Sequence, residues 1–168
     1  EEKRGQIKDL VNSVFTIAQE RWQASVDKEK IKKDYGDMVK AEIDQAFSVF
    51  EASNVDIAFD DLEIRQEYAR GVIEKMRWGL DGKEYFWIQD TDGDMVMHPI
   101  KPALNGKNLA NMKDPDGKLF FKEMDSIAQT KGAGFVSYKW PKPGHEEPVD
   151  KISYIRLFKP WGWIIGTG

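Results

Sequence analysis

The residues able to do chemistry gather in Tyr85–Pro99, YFWIQDTDGDMVMHP. Tyr85, Trp87 and His98 each join apolar ring area to a hydrogen-bond donor, a combination suited to gripping a small amphiphilic anion. Asp90, Asp92 and Asp94 alternate as in a calcium loop. Such a loop requires a glutamate where this chain has Lys101, and its glycine falls elsewhere, so a hairpin turn rich in Asp and Gly accounts for the segment. There is no G-x-S-x-G elbow, phosphate loop, H-E-x-x-H pair or cysteine nucleophile. No catalytic residue, metal or cofactor is expected.

The elements around this stretch decide which groups can meet. Aromatic and β-branched residues up to Gln89, a break over Asp90–Asp94 and a resumption at Met95–Met97 predict a β-hairpin. By alternation Tyr85, Trp87 and Gln89 share one strand face and Phe86 and Ile88 the other. Pattern alone does not say which face looks inward. The Tyr85/Trp87 face is the better candidate because a phenol and an indole suit an amphiphilic ligand, the alternative being ordinary sheet-to-helix packing. His98 ends its strand before Pro99, where an imidazole either donates to a carboxylate, which would favour its charged form, or is satisfied within the core. His145, beside two glutamates in PKPGHEEP, reads as solvated. On a later strand Tyr138 and Trp140 share a face. Arg77, at a helix end beside the hairpin, either pairs bidentately with a ligand carboxylate or complements the helix C-terminus.

Upstream, Ile7, Leu10, Val11, Val14, Ala18, Trp22 and Val26 recur at helical steps, predicting a helix from about residue 3 to 30, on the order of 40 Å long. A second helix carries Tyr35, Met38, Val39, Ile43, Ala46, Phe47 and Phe50. A third follows Asp60-Asp61 as N-cap, carries Leu62, Ala69, Val72, Ile73 and Met76, and stops at Gly79. Beyond Glu84 the period is that of strands. A loop from Pro102 to Lys118 enters a short helix, Leu119 to Gln129, and three strands follow: Phe135–Trp140, Lys151–Phe158 and Trp161–Gly166. Short connections make the sheet antiparallel, so the fold class is α+β, with five strands and one helix-bearing crossover.

The chain has 168 residues, 40% hydrophobic and 32% charged, which suits one domain: a helical part, 1–79, and a sheet part, 80–168. A net charge of −4 without a basic face argues against nucleic acid. No apolar run is long enough to span a bilayer. The ends read as cuts within a longer chain, which leaves a membrane segment on either side open.

Taken in order, YFWI-QDTDGDMVMHPIKPALNGKNL, KDPDGK, GAGFVSYKWPKPG and K-ISYIRLFKPWGWIIGTG closely resemble the single Cache sensor domain of bacterial chemoreceptors and sensor histidine kinases, over about residues 77 to 168. The step Met76-Arg77-Trp78-Gly79 resembles that family's Arg-aromatic-Gly. The resemblance implies a PAS-like five-stranded antiparallel sheet. It also implies a long N-terminal helix leading from a membrane helix, an extracytoplasmic (periplasmic) location, and a ligand such as acetate, propionate, pyruvate or lactate. It favours pocket roles for Arg77 and His98, and its Lys-x-Ser-Tyr step carries Tyr154, and more weakly Lys151, over as ligand donors.

The expected function is therefore a sensor of a short-chain carboxylate, with ligand residues Arg77, Tyr85, Trp87, His98, Tyr138, Trp140, Lys151 and Tyr154. A homodimer through the N-terminal helix is the expected partner state, and no enzyme activity is expected. Two alternatives remain: recognition of an amine or sugar, and a ligand-free module that dimerises through the Ile7–Val26 stripe. The sign of the charge lining the pocket separates carboxylates from amines.

Overall fold

The computed structural model describes residues 2–25, 28–55 and 61–168, with side chains from residues 11–22, 30–55 and 61 onward. Two compact units result, Glu1–Asp37 and Met38–Gly168. The first holds helix α1 (Glu2–Ser25) and the opening of α2 (Lys28–Ser53). Along α1, Val11, Val14 and Trp22 are exposed, while Ile7, Leu10 and Val26 of the proposed dimer stripe lie outside the described side chains.

In the second unit α2 buries Val39, Ile43, Ala46, Phe47 and Phe50, whereas Met38 is exposed, one step off that stripe. Asp61 caps α3 (Leu62–Lys75) by accepting from the Glu63 N–H at 2.8 Å. The helix ends at Met76, which turns extended, and not at Gly79 as expected. Arg77–Trp78 then forms a short strand, β1, and Gly79 (φ +83°) serves the turn into β2 (Glu84–Asp90). All five expected strands are present, and β1 adds a sixth.

The sheet runs β1-β2-β6-β5-β4, where β4 is Ala133–Pro141, β5 Pro148–Phe158 and β6 Trp163–Thr167, with β3 (Met95–Met97) also paired to β2, and every pairing is antiparallel. Between β2 and β3 the Asp90 carboxylate accepts from the N–H groups of Asp92 (3.0 Å) and Asp94 (2.8 Å), so it shapes a turn. Helix α4 (Phe120–Lys131) makes the crossover to β4 and ends on left-handed Gly132. β5 and β6 complete the sheet.

Alternation gives the sheet two working faces. On one, Phe158, Trp161 and Trp163 pack edge-on or tilted against Phe47 and Phe50 of α2 at 5.4–5.8 Å between ring centres. Arg156 pairs with Asp44 at 2.7 Å on this side. The other face carries Tyr85, Trp87, Val136, Tyr138, Ile155 and Ile164 and is covered by Phe120, Phe121, Met124 and Ala128 of α4. On β2 the Tyr85/Trp87 face is thus the one that α4 covers, while Phe86 and Ile88 are wholly buried on the other.

Candidate functional site

Between the second face and its covering helix lies a cavity of about 10 Å³, room for about one water molecule. Its sheet wall is Tyr85, Trp87, Tyr138 and Trp140; α4 contributes Phe120 and Phe121, and the loop after β3 contributes His98. Phe120 stacks on Tyr138 at 4.6 Å with the planes 2° apart. The central strand leaves space on this face because Gly166 has no side chain: a Cβ there would lie 2.3 Å from the Trp87 ring.

His98 is buried, and its Nδ1 accepts from the backbone N–H groups of Ile100 (3.3 Å) and Lys101 (3.0 Å). Nδ1 therefore carries no proton, and the neutral ring keeps its N–H at Nε2 as a donor. The loop is held in turn by Asn105, whose side-chain oxygen accepts from the His98 backbone N–H at 2.8 Å. Burial first, then the charges of Lys101 and Lys151, bring the His98 pKa down from 6.5 to about 4. The imidazole is thus held neutral by its surroundings. The two charges acting on His98 are both cations, while the acid Glu84 acts on its neighbours Tyr85 and Lys151.

Those cations flank the aromatic rim. The Lys151 ammonium lies 5.2 Å from the centre of the Tyr85 ring and that of Lys101 4.2 Å from the Trp140 ring. Both are half-buried, and burial lowers both lysine pKa values. Burial, with the charge of Glu84 adding to it, pushes the Tyr85 phenol up to about 12, so the hydroxyl keeps its proton. Tyr138 and Ser153 hydroxyls meet at 3.0 Å.

The structure thus brings together Tyr85, Trp87, His98, Tyr138, Trp140 and Lys151 of the expected residues. Trp87 is a wall and not a ligand donor, because its indole N–H is committed to Gln89 at 3.1 Å. Tyr154 requires correction. It projects from the opposite face of β5, against Phe135 at 4.8 Å and beneath the Lys40 ammonium of α2. The cavity side at that point belongs to Ser153. Arg77 is exposed and donates to the carbonyls of Glu74 and Met76, both at 2.8 Å, which is the helix-complementing arrangement. Its backbone nevertheless stands opposite Tyr85, so it emerges on the cavity side of the sheet.

Lys101, Ser153, Phe120 and Phe121 were missed. Lys101 follows His98 by three residues across Pro99, and Ser153 shares the face of Lys151 by alternation, so both were accessible to closer reading. The two phenylalanines open the covering helix, and nothing local marks them as cavity residues.

The domain is thus α+β, with an aromatic cavity flanked by two lysines on one face of its sheet. The family model dCache_2, a Cache domain, matches residues 1–168. The chain belongs to the Cache domain family. It is 50% identical over 106 residues to the methyl-accepting chemotaxis protein McpP of Pseudomonas putida, covering 63% of this chain and 19% of McpP. Over 113 residues it is 33% identical to the sensor histidine kinase MctS of Rhizobium johnstonii, covering 67% of this chain and 24% of MctS. It thus corresponds to about a fifth to a quarter of those relatives.

Among solved structures, a Cache chemosensory domain studied for carboxylic acid recognition superposes with a TM-score of 0.77 at 38% identity, covering 83% of this chain and 95% of that one. A periplasmic sensor domain of a chemotaxis protein superposes with a TM-score of 0.76 at 36% identity, covering 81% and 94%. The PAS-like α+β architecture is that of these neighbours. Among the described residues, no helix is long and apolar enough to cross a membrane.

Proposed function

We propose that the whole chain is one Cache domain, the extracytoplasmic sensor of a membrane-anchored receptor, and that it binds a short-chain monocarboxylate. The observation that carries this reading is the pair of lysines acting on buried, neutral His98 at the rim of an aromatic cavity. The similarity to a domain studied for carboxylic acid recognition supports it. The carboxylate would accept from His98 Nε2–H, from Lys101 or Lys151 and from the Tyr85 hydroxyl, while its alkyl end packs on rings. Arg77 can join by releasing the carbonyls of Glu74 and Met76.

The tightness of the cavity makes ligand entry a conformational event. An acid of two or three carbons exceeds the free space, so rim side chains must move. The ligand then favours an open arrangement to the extent of its differential affinity for the two. In the intact receptor the shift would pass along the N-terminal helices to the membrane, where a second copy would complete a dimer. A ceiling of ~1.5 kcal/mol per heavy atom limits acetate to about −6 kcal/mol, roughly tens of micromolar, and a three-carbon acid can bind more tightly.

Calorimetric titration with acetate, propionate, lactate and pyruvate, beside the corresponding alkylamines, tests the reading. Acids are expected to bind with loss of affinity in Lys151→Met and Arg77→Ala, and amines not to bind. Amine binding, or no thermal stabilisation by any acid, would overturn it.

A further inference from the structure

Trp87 is held from behind by two residues that do not line the cavity. Its Nε1 donates to Gln89 Oε1 at 3.1 Å, and Gln89 Nε2 donates to Asp125 Oδ1 at 2.6 Å. The direction of both bonds follows from chemistry. An indole N–H can only donate, so it meets the amide oxygen; the amide nitrogen must then face Asp125, where a carboxylate oxygen accepts. Gln89 is wholly buried and Asp125 nearly so. From the sheet side the indole rests on Gly166, where no Cβ would fit. The ring is clamped between a glycine and a polar relay.

Trp87 also stands where a ligand's tail would go. Along β2 it lies two residues beyond Tyr85, ~6.6 Å at strand rise. With a carboxylate held near Tyr85, His98 and Lys151, the indole is one of the ring walls within reach of its alkyl end.

We propose that Gln89 and Asp125 are positioning residues of the pocket: by pinning Trp87 they fix its depth and exclude the longer members of a homologous series of acids. This rests on the carboxylate reading above. The charged groups facing Asp125 are Asp90 and Asp92 of the β2–β3 turn, both acidic, and burial with their repulsion brings its pKa up to about 6. The anchor of the relay thus changes charge near neutrality, and protonation replaces a charge-assisted bond to Gln89 by a weaker one.

The test is calorimetry with acetate, propionate, butyrate and valerate at about pH 5 and about pH 7.5, on either side of the Asp125 transition. Wild type is expected to bind more weakly from propionate to valerate. In Gln89→Leu the indole is released, and each added methylene should tighten binding about fourfold, the worth of one buried CH₂. Should Gln89→Leu fail to fold, Gln89→Met, which keeps the unbranched shape of the side chain but lacks the amide, reads the same relay.

The propionate-to-valerate ratio supplies a readout that mere structural support would not move. Homologous acids ionise together and meet the same cations, so the ratio isolates the wall. It should differ between the two pH values in wild type and be equal at both in Asp125→Asn. Unchanged chain-length ranking in the relay variant, or a pH-independent ratio in wild type, overturns this proposal alone. Failure of wild type to bind any of the four acids overturns the carboxylate reading together with it.

Discussion

His98 should stay uncharged across the physiological range, and the size of the effect follows from its surroundings. A drop from 6.5 to about 4 corresponds to about 3 kcal/mol of preference for the neutral ring, at ~1.36 kcal/mol per unit. Because the folded value is the lower, the unfolded chain takes up the proton first as pH falls. Stability from this group is complete above about 6.5, and the ~3 kcal/mol is lost on descending to about 4. Asp125 runs the other way. Its folded pKa of about 6 lies above the ordinary carboxyl value of 3.8, so its contribution is complete at the acid end and lost as pH rises through about 6. The two slopes oppose each other where their windows overlap, so wild-type denaturation curves will be nearly flat there. Asp125→Asn should uncover the His98 slope. The direct assay is an NMR titration of the two imidazoles. Lys151→Met removes one repelling charge and should raise the His98 pKa, though not to 6.5, because burial is the larger cause. Added propionate should raise it as well, since an anion favours the imidazolium. A wild-type His98 that titrates near 6.5, or carries its proton on Nδ1, would refute the reasoning.

Lys151→Met keeps the aliphatic stem over Tyr85 but removes a charge-assisted contact worth ~1.5–3 kcal/mol, so propionate affinity should fall about 10- to 150-fold by calorimetry. Gly166→Ala forces a methyl into the Trp87 ring, 2.3 Å away, and should destabilise by ~1–3 kcal/mol in urea; adding Trp87→Val should recover much of the loss. Tyr154→Phe should leave ligand affinity unchanged, since the phenol faces α2 and not the cavity; a large loss would contradict the assigned face of β5.

Long regular elements were legible because each repeats its signal. The stripe Val39–Ile43–Ala46–Phe50 and the hairpin around Asp90–Asp94 are each marked several times over, and both form as read. β1 is two residues long, too short for any period to register, and Met76 leaves the helix with no glycine to announce it. The relay behind Trp87 was equally hidden, because Asp125 lies 36 positions from Gln89 and on another element. No local pattern links them.

The error at Tyr154 had a different origin, for the information that corrects it is present in the chain. Lys151 and Tyr154 are an odd number of residues apart on one strand, so a regular strand cannot point both into one cavity. Register then decides between them: Tyr138 stands opposite Lys151 and Val136 opposite Ser153, all on the side that α4 covers, while Phe135 and Tyr154 face α2 together. A motif borrowed from a family can place a residue correctly in the chain and still leave its side of the sheet undetermined. Parity carries more weight here because it fixes a whole face at once. It draws Lys151 and Ser153 to the cavity with Tyr138, and it leaves the ligand's negative charge to be met by lysines, a neutral imidazole and hydroxyls.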